Sequence, residues 1–200
     1  NADDARGQEI AKRLSGKRMP LIDRIEIAII EENQPRLLAF LNGEHDLLFK
    51  NPEDFAIITI PNNQLAPNLR KRHMTMVRYP RADVAYTYFN MEDPVVGGYT
   101  PDKVALRRAI CSGYNTADEI RVIRNGQALP ATQPLPPNVD GHVEAFKSLT
   151  TYDPATARAL LDKFGYKDRD GDGYRELPDG QPLTLVLAST PDNAARASDE

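Results

Sequence analysis

In "LIDRIEIAII", residues 21–30, Ile25, Ile27 and Ile29 alternate with Arg24, Glu26 and Ala28, a period of two that predicts a half-buried strand. The period then lengthens: in "NQPRLLAFLNGE", Leu37, Phe40 and Leu41 share one helical face. Asn33 is placed to cap that helix, Pro35 sits in its first turn and Gly43 ends it. Short apolar runs at 47–49 and 57–60 read as strands, with "NPEDF" turning between them. "NNQLAPNLRKRH" reads as a helix interrupted by Pro67, and "MTMVRYP" and "VAYTYFNM" as two further strands.

The second half carries the clearest local signals. "TPDKVALRRAICSGY" predicts a helix capped by Thr100, with Pro101 in its first turn. "NTADEIRVIRNGQ" predicts another, with Asn115 and Asp118 as its cap and Gly126 beyond its end. Residues 128–141, "ALPATQPLPPNVDG", cannot form a central strand or helix, since each proline lacks a backbone donor. Asp153 caps and Gly165 stops a third helix in "YDPATARALLDKFGY", and a strand follows at 183–188. The expected class is therefore α/β, an α+β mixed sheet with flanking helices. Residues 1–18 read as a linker or extraneous start, and 19–200 as one partial unit. Its last strand, followed by "STPDNAARASDE", is expected to find partners beyond a C-terminal truncation.

Composition narrows the function classes. A net charge of -4 over 200 residues disfavours a dedicated nucleic-acid binder. The basic stretch "RKRHMTMVRYPR" reads first as a solvated strand face, although an anion-binding use of residues 70–81 would show as steep salt dependence. No apolar run approaches the roughly 20 residues of a membrane span. One cysteine, Cys111, excludes an intrachain disulfide and has no nameable nucleophile partner. His45, His73 and His142 lack zinc-ligand spacing, and neither a P-loop nor a Gly-x-Ser-x-Gly elbow occurs. No catalytic residue is assigned.

"DRDGDGYRELPD" is the one metal-like motif. Asp168, Asp170 and Asp172 alternate, Gly173 follows, and Asp179 falls at the twelfth place of an EF-hand count. An EF-hand needs a helix on each side, and Pro178, Gly180 and Pro182 forbid the outgoing one. The reading is a hairpin-like connection in which aspartates bond nearby backbone donors. Weak Ca2+ binding by the three aspartates stays open, as does the alternative of a calcium-binding extracellular module using residues 168–179. No cofactor is otherwise expected.

"VAYTYFNMEDPVVGGYTPDKVALRRAI" resembles the extracellular solute-binding proteins of family 5, the dipeptide- and oligopeptide-binding class of bacterial ABC importers. The resemblance rests on Phe89 and Asn90 closing an aromatic strand, Pro94 in the loop, and Arg107 and Arg108 in the "VALRRAI" helix. "RMPLIDRIEIAIIEENQPRLLAFLNGEHDLL" and the "YDPATARALLDKFGY" passage are similar to the family's in order, so the likeness runs over 19–190. It implies part of lobe two of a periplasmic-binding-protein type II-like fold, its N-terminal lobe missing. It also implies a periplasmic or extracellular protein, membrane-associated through its partner, that captures a small peptide-like solute by hinge closure and delivers it to the membrane subunits of an importer. Neither catalysis nor nucleic acid enters. The loop after 183–188 occupies the place where peptide-binding relatives touch ligand, which makes Ser189, Thr190 and Asp192 the candidate solute contacts. Their other reading is a capped helix start, with Pro191 in the first turn. Heme-like cargo, sugar and metal chelate remain open as solutes.

Overall fold

A computed structural model describes residues 4–189. The chain divides into two units, one ending at Lys50 and the other beginning at Asn51.

In the first unit, α1 spans Ala5–Leu14, within the segment read from sequence as a linker or extraneous start, and its N-cap Asp4 accepts from the Gly7 N–H. Helix α2 spans Asn33–Asn42, where the sequence pattern places it. Glu32, rather than Asn33, is its N-cap residue and makes no side-chain cap bond. The Arg36 guanidinium holds the start instead, donating to the Ile30 carbonyl at 3.1 Å and to Asn33 Oδ1 at 2.6 Å. Gly43 ends α2 in the left-handed region (φ 83°), a conformation open to a residue without Cβ. Leu37 and Ala39 are its buried residues.

The second unit starts with short turns of helix. A 3-10 turn at Glu53–Phe55 leads into α3, Ala56–Thr59, and α4 spans Pro67–Lys71. Residues 57–59 of the run at 57–60 are thus helical where a strand was expected, and Ile60 ends the turn. Thr59 Oγ1 donates to the Phe55 carbonyl at 2.8 Å and Asn51 Nδ2 donates to Thr59 Oγ1 at 2.9 Å, which ties the turn to its own flank. Ala56, Ala66 and Leu69 are buried here.

Helix α5 spans Pro101–Gly113, α6 spans Thr116–Asp118 and runs into a π-helical turn at Glu119–Ile123, and α7 spans Pro154–Lys163. The predicted caps Asn115 and Asp153 accept from the N–H groups of Asp118 and Thr156; Thr100 occupies the N-cap position of α5 without a side-chain bond. Helices α5 and α7 pack together. Ala105, Leu106 and Ala109 of α5 and Ala157 of α7 are buried. Tyr166, just past α7, is almost wholly buried, and desolvation raises its phenol pKa above the ordinary value, with the Asp102 charge adding to the shift. Arg124 pairs with Glu119 at 2.9 Å, and Asn125 Nδ2 donates to the Glu53 carbonyl at 3.2 Å, which joins the π turn to the start of the unit.

Among the described residues the expected mixed sheet does not form. The segments read as strands at 21–30, 47–49, 74–80, 84–91 and 183–188 make no ladder, and β pairing among the described residues is limited to one isolated antiparallel bridge between Glu176 and Pro182. Ile25, Ile27 and Ile29 are 76%, 84% and 88% exposed, so the alternating face covers nothing. Alternation records which side of an extended chain is apolar. It does not supply the neighbouring N–H and C=O groups that make an extended chain a strand.

Candidate functional site

The motif singled out in the sequence folds as a turn stapled to a helix. Asn90 Oδ1 accepts from the Glu92 N–H at 3.0 Å, and Asp93 Oδ1 accepts from the Val95 and Val96 N–H groups at 2.8 and 2.9 Å. Those two backbone bonds, Val96 first, hold the Asp93 carboxyl below its ordinary pKa. Two cations of α5 then grip the turn: Lys103 Nζ donates to the Pro94 carbonyl at 2.6 Å, and the Arg107 guanidinium donates to the Val96 carbonyl. Gly97 is required by proximity, since a Cβ there would lie 2.4 Å from the Met91 carbonyl oxygen and 2.5 Å from that of Asp93. Asn90, Pro94 and Arg107 therefore serve the architecture of the turn. Asp93 and Lys103 complete the staple. Sequence reasoning passed over both, although an acidic residue two and three places before free N–H groups is a readable turn signal.

Phe89, Arg107 and Arg108 come together at a second feature, an open cleft of about 400 Å³ beside α5 and α7. Helix α5 also contributes Cys111, and α7 contributes Thr156 and Leu160. Partial desolvation pushes the Cys111 thiol pKa up, opposite to the shift a nucleophilic thiol needs. The cleft's acid, Asp153, is committed to α7: Oδ1 accepts from the Thr156 N–H at 3.0 Å and Oδ2 from the Thr156 hydroxyl at 2.6 Å. These bonds, the hydroxyl's first, keep its carboxyl below the ordinary value.

The acidic loop forms a tight nest of turns. Asp168 accepts from the Gly171 and Gly173 N–H groups at 2.7 and 3.0 Å, Asp170 from Asp172, and Asp172 from Tyr174. Carboxylate oxygens of Asp168, Asp170, Asp172 and Glu176 lie within 4.8 Å of one another, an oxygen-donor set of the kind a hard cation takes. Glu176, absent from the sequence reading, is the ninth residue counted from Asp168. Asp179, the twelfth, turns instead to the Gln181 N–H at 3.0 Å. The loop exits through the Glu176–Pro182 bridge, so the flanking geometry is that of a hairpin rather than an EF-hand. Arg169 buttresses it by donating to the carbonyls of Gly165, Leu177 and Pro178.

Of the candidate solute contacts, Ser189 is exposed at the end of the extended segment, while Thr190 and Asp192 lie outside the described residues.

Comparison with known proteins gives this arrangement a family. The model for "Bacterial extracellular solute-binding proteins, family 5 Middle" matches residues 12–198. The chain belongs to that family. Family 5 proteins bind solutes and are not catalysts, in keeping with a chain to which no catalytic residue was assigned. Among curated proteins, this family 5 chain is 26% identical over 164 residues to the glutathione-binding protein GsiB of Salmonella paratyphi A, covering 78% of this chain and 28% of the relative. It is 27% identical over 150 residues to di/tripeptide-binding protein 2 of Pseudomonas aeruginosa, covering 74% and 25%. The chain thus spans about a quarter of the length of the curated relatives it matches. The crystal structure of a periplasmic oligopeptide-binding protein of an oligopeptide ABC transporter from Thermotoga maritima aligns at TM-score 0.40 and 20% identity, over 74% of this chain and 32% of that one. No helix among the described residues is long and apolar enough to cross a membrane.

Proposed function

We propose that the protein containing this chain captures a peptide-like solute outside the cytoplasm and delivers it to the membrane subunits of an ABC importer, without catalysis. The family match across residues 12–198 carries this reading. The names of the relatives, one glutathione-binding and one di/tripeptide-binding, favour a short peptide as the solute. Residues 19–200 form part of the second of two lobes that close about the ligand, a hinge motion in which the closed form is the one the importer engages. Ser189, Thr190 and Asp192 offer hydroxyl and carboxylate groups to the solute from the loop after the last extended segment.

The test is calorimetry on the protein from the complete reading frame, titrated with glutathione and with a panel of di- and tripeptides. Binding of at least one short peptide, weakened when Asp192 is replaced by Ala, is the expected result. A complete protein that ignores every short peptide but binds a sugar or a metal chelate would overturn the peptide assignment. The 200-residue chain by itself is expected to bind peptides far more weakly, because one lobe supplies half of the clamp.

A further inference from the structure

The cleft beside α5 and α7 holds positive charge that the fold leaves unpaired. Arg107 donates to the neutral carbonyl of Val96, and among the described residues neither Arg107 nor Arg108 takes part in an ion pair. Arg108 is exposed and makes no bond to the protein, so its guanidinium fork is available. The lining's one acid, Asp153, has both oxygens engaged by Thr156. The lining thus holds two arginines and one carboxylate that already has its partners. Phe89 and Leu160 add apolar surface to the same lining. An open cleft of about 400 Å³, part apolar and bearing an unpaired guanidinium, offers a small anion a charge-assisted donor beside apolar surface.

We propose that this cleft binds a small amphipathic carboxylate, with Arg108 taking the carboxylate and Phe89 and Leu160 covering its apolar end. A planar guanidinium recognises a carboxylate through two parallel N–H···O bonds, a geometry that a neutral amide of the same shape cannot reproduce. This binding is independent of which solute the complete protein carries.

Cys111, the one cysteine of the chain, is exposed and lines the cleft, so it reports occupancy directly. The experiment measures labelling of the 200-residue chain by iodoacetamide, a neutral reagent, at mildly alkaline pH. The probes are 3-phenylpropionate and its neutral amide. Roughly fivefold slower labelling is expected at a probe concentration a few times a millimolar Kd, the affinity suited to one charge-assisted contact in an open cleft. The amide should leave the rate unchanged, and Arg108→Gln should abolish protection by the acid. An unchanged rate with the acid would overturn the site, and equal protection by acid and amide would overturn the role of Arg108. The acid–amide comparison on the unaltered chain decides the matter even where Arg108→Gln fails to fold.

Discussion

The backbone N–H of Asp153 donates to the carbonyl of Ser112 at 2.8 Å. One bond thereby joins the last turn of α5 to the N-cap residue of α7, across the Pro-rich passage that separates them in sequence. The residue that starts α7 is thus also the one that fixes where α7 starts relative to α5.

That double duty has a pH signature. The ordinary carboxylate value is 3.8, and the Asp153 value lies below it in the folded chain, as does that of Asp93. A depressed folded pKa contributes stability that is fully present above the unfolded value and is lost as pH falls through the folded one. Thermal melts are expected to be flat from neutral pH down to about pH 5 and to decline steadily below about pH 4. Asp153→Asn should shallow that acid decline. An acid limb identical to that of the unaltered chain would show that the cap is not a source of it.

Leu106, on α5, is 2% exposed. Leu106→Ala is expected to cost about 3 kcal/mol in urea unfolding, the sum of lost transfer free energy and a residual cavity. A cost under about 1 kcal/mol would mean that the helix pair collapses to fill the space.

Gly97→Ala tests the staple on steric grounds alone. The new Cβ would meet two backbone carbonyl oxygens closer than 3 Å, and neither atom is the free end of a side chain. The turn must open, with an expected loss of about 1–3 kcal/mol. A neutral Gly97→Ala would show that the 90–98 turn is not held as described.

Arg107→Gln removes the guanidinium that holds the Val96 carbonyl. Amide exchange at Val95 and Val96 should accelerate roughly tenfold, the loss of one charge-assisted hydrogen bond, while amides in the middle of α7 keep their rates. Uniform acceleration across both helices would instead indicate global destabilisation.

How far the fold was legible depended on how local each signal is. Helices α2, α5 and α7 stand where the proline and glycine signals place them, because those signals act within a few residues along the chain; of the three expected cap residues, only Asp153 makes its side-chain bond. The run at 57–60 misled because three isoleucines in four residues fit either period, and the Thr59 hydroxyl bond to Phe55 together with the turns on either side made residues 57–59 helical. Glu176 joined the acidic cluster through its N–H bond to the Lys167 carbonyl and the Arg169 N–H bond to its carboxylate, while Asp179 occupied the counted position and turned away.

The sequence alone determined where most of the chain turns, caps and coils, and its ordered motifs were enough to indicate the family, since both are written in residues near one another along the chain. Tertiary structure decided which extended segments have neighbours, which cations stay unpaired and which helices meet. Those outcomes depend on groups brought together from distant positions, and a period-two pattern carries no information about whether a partner strand lies alongside it.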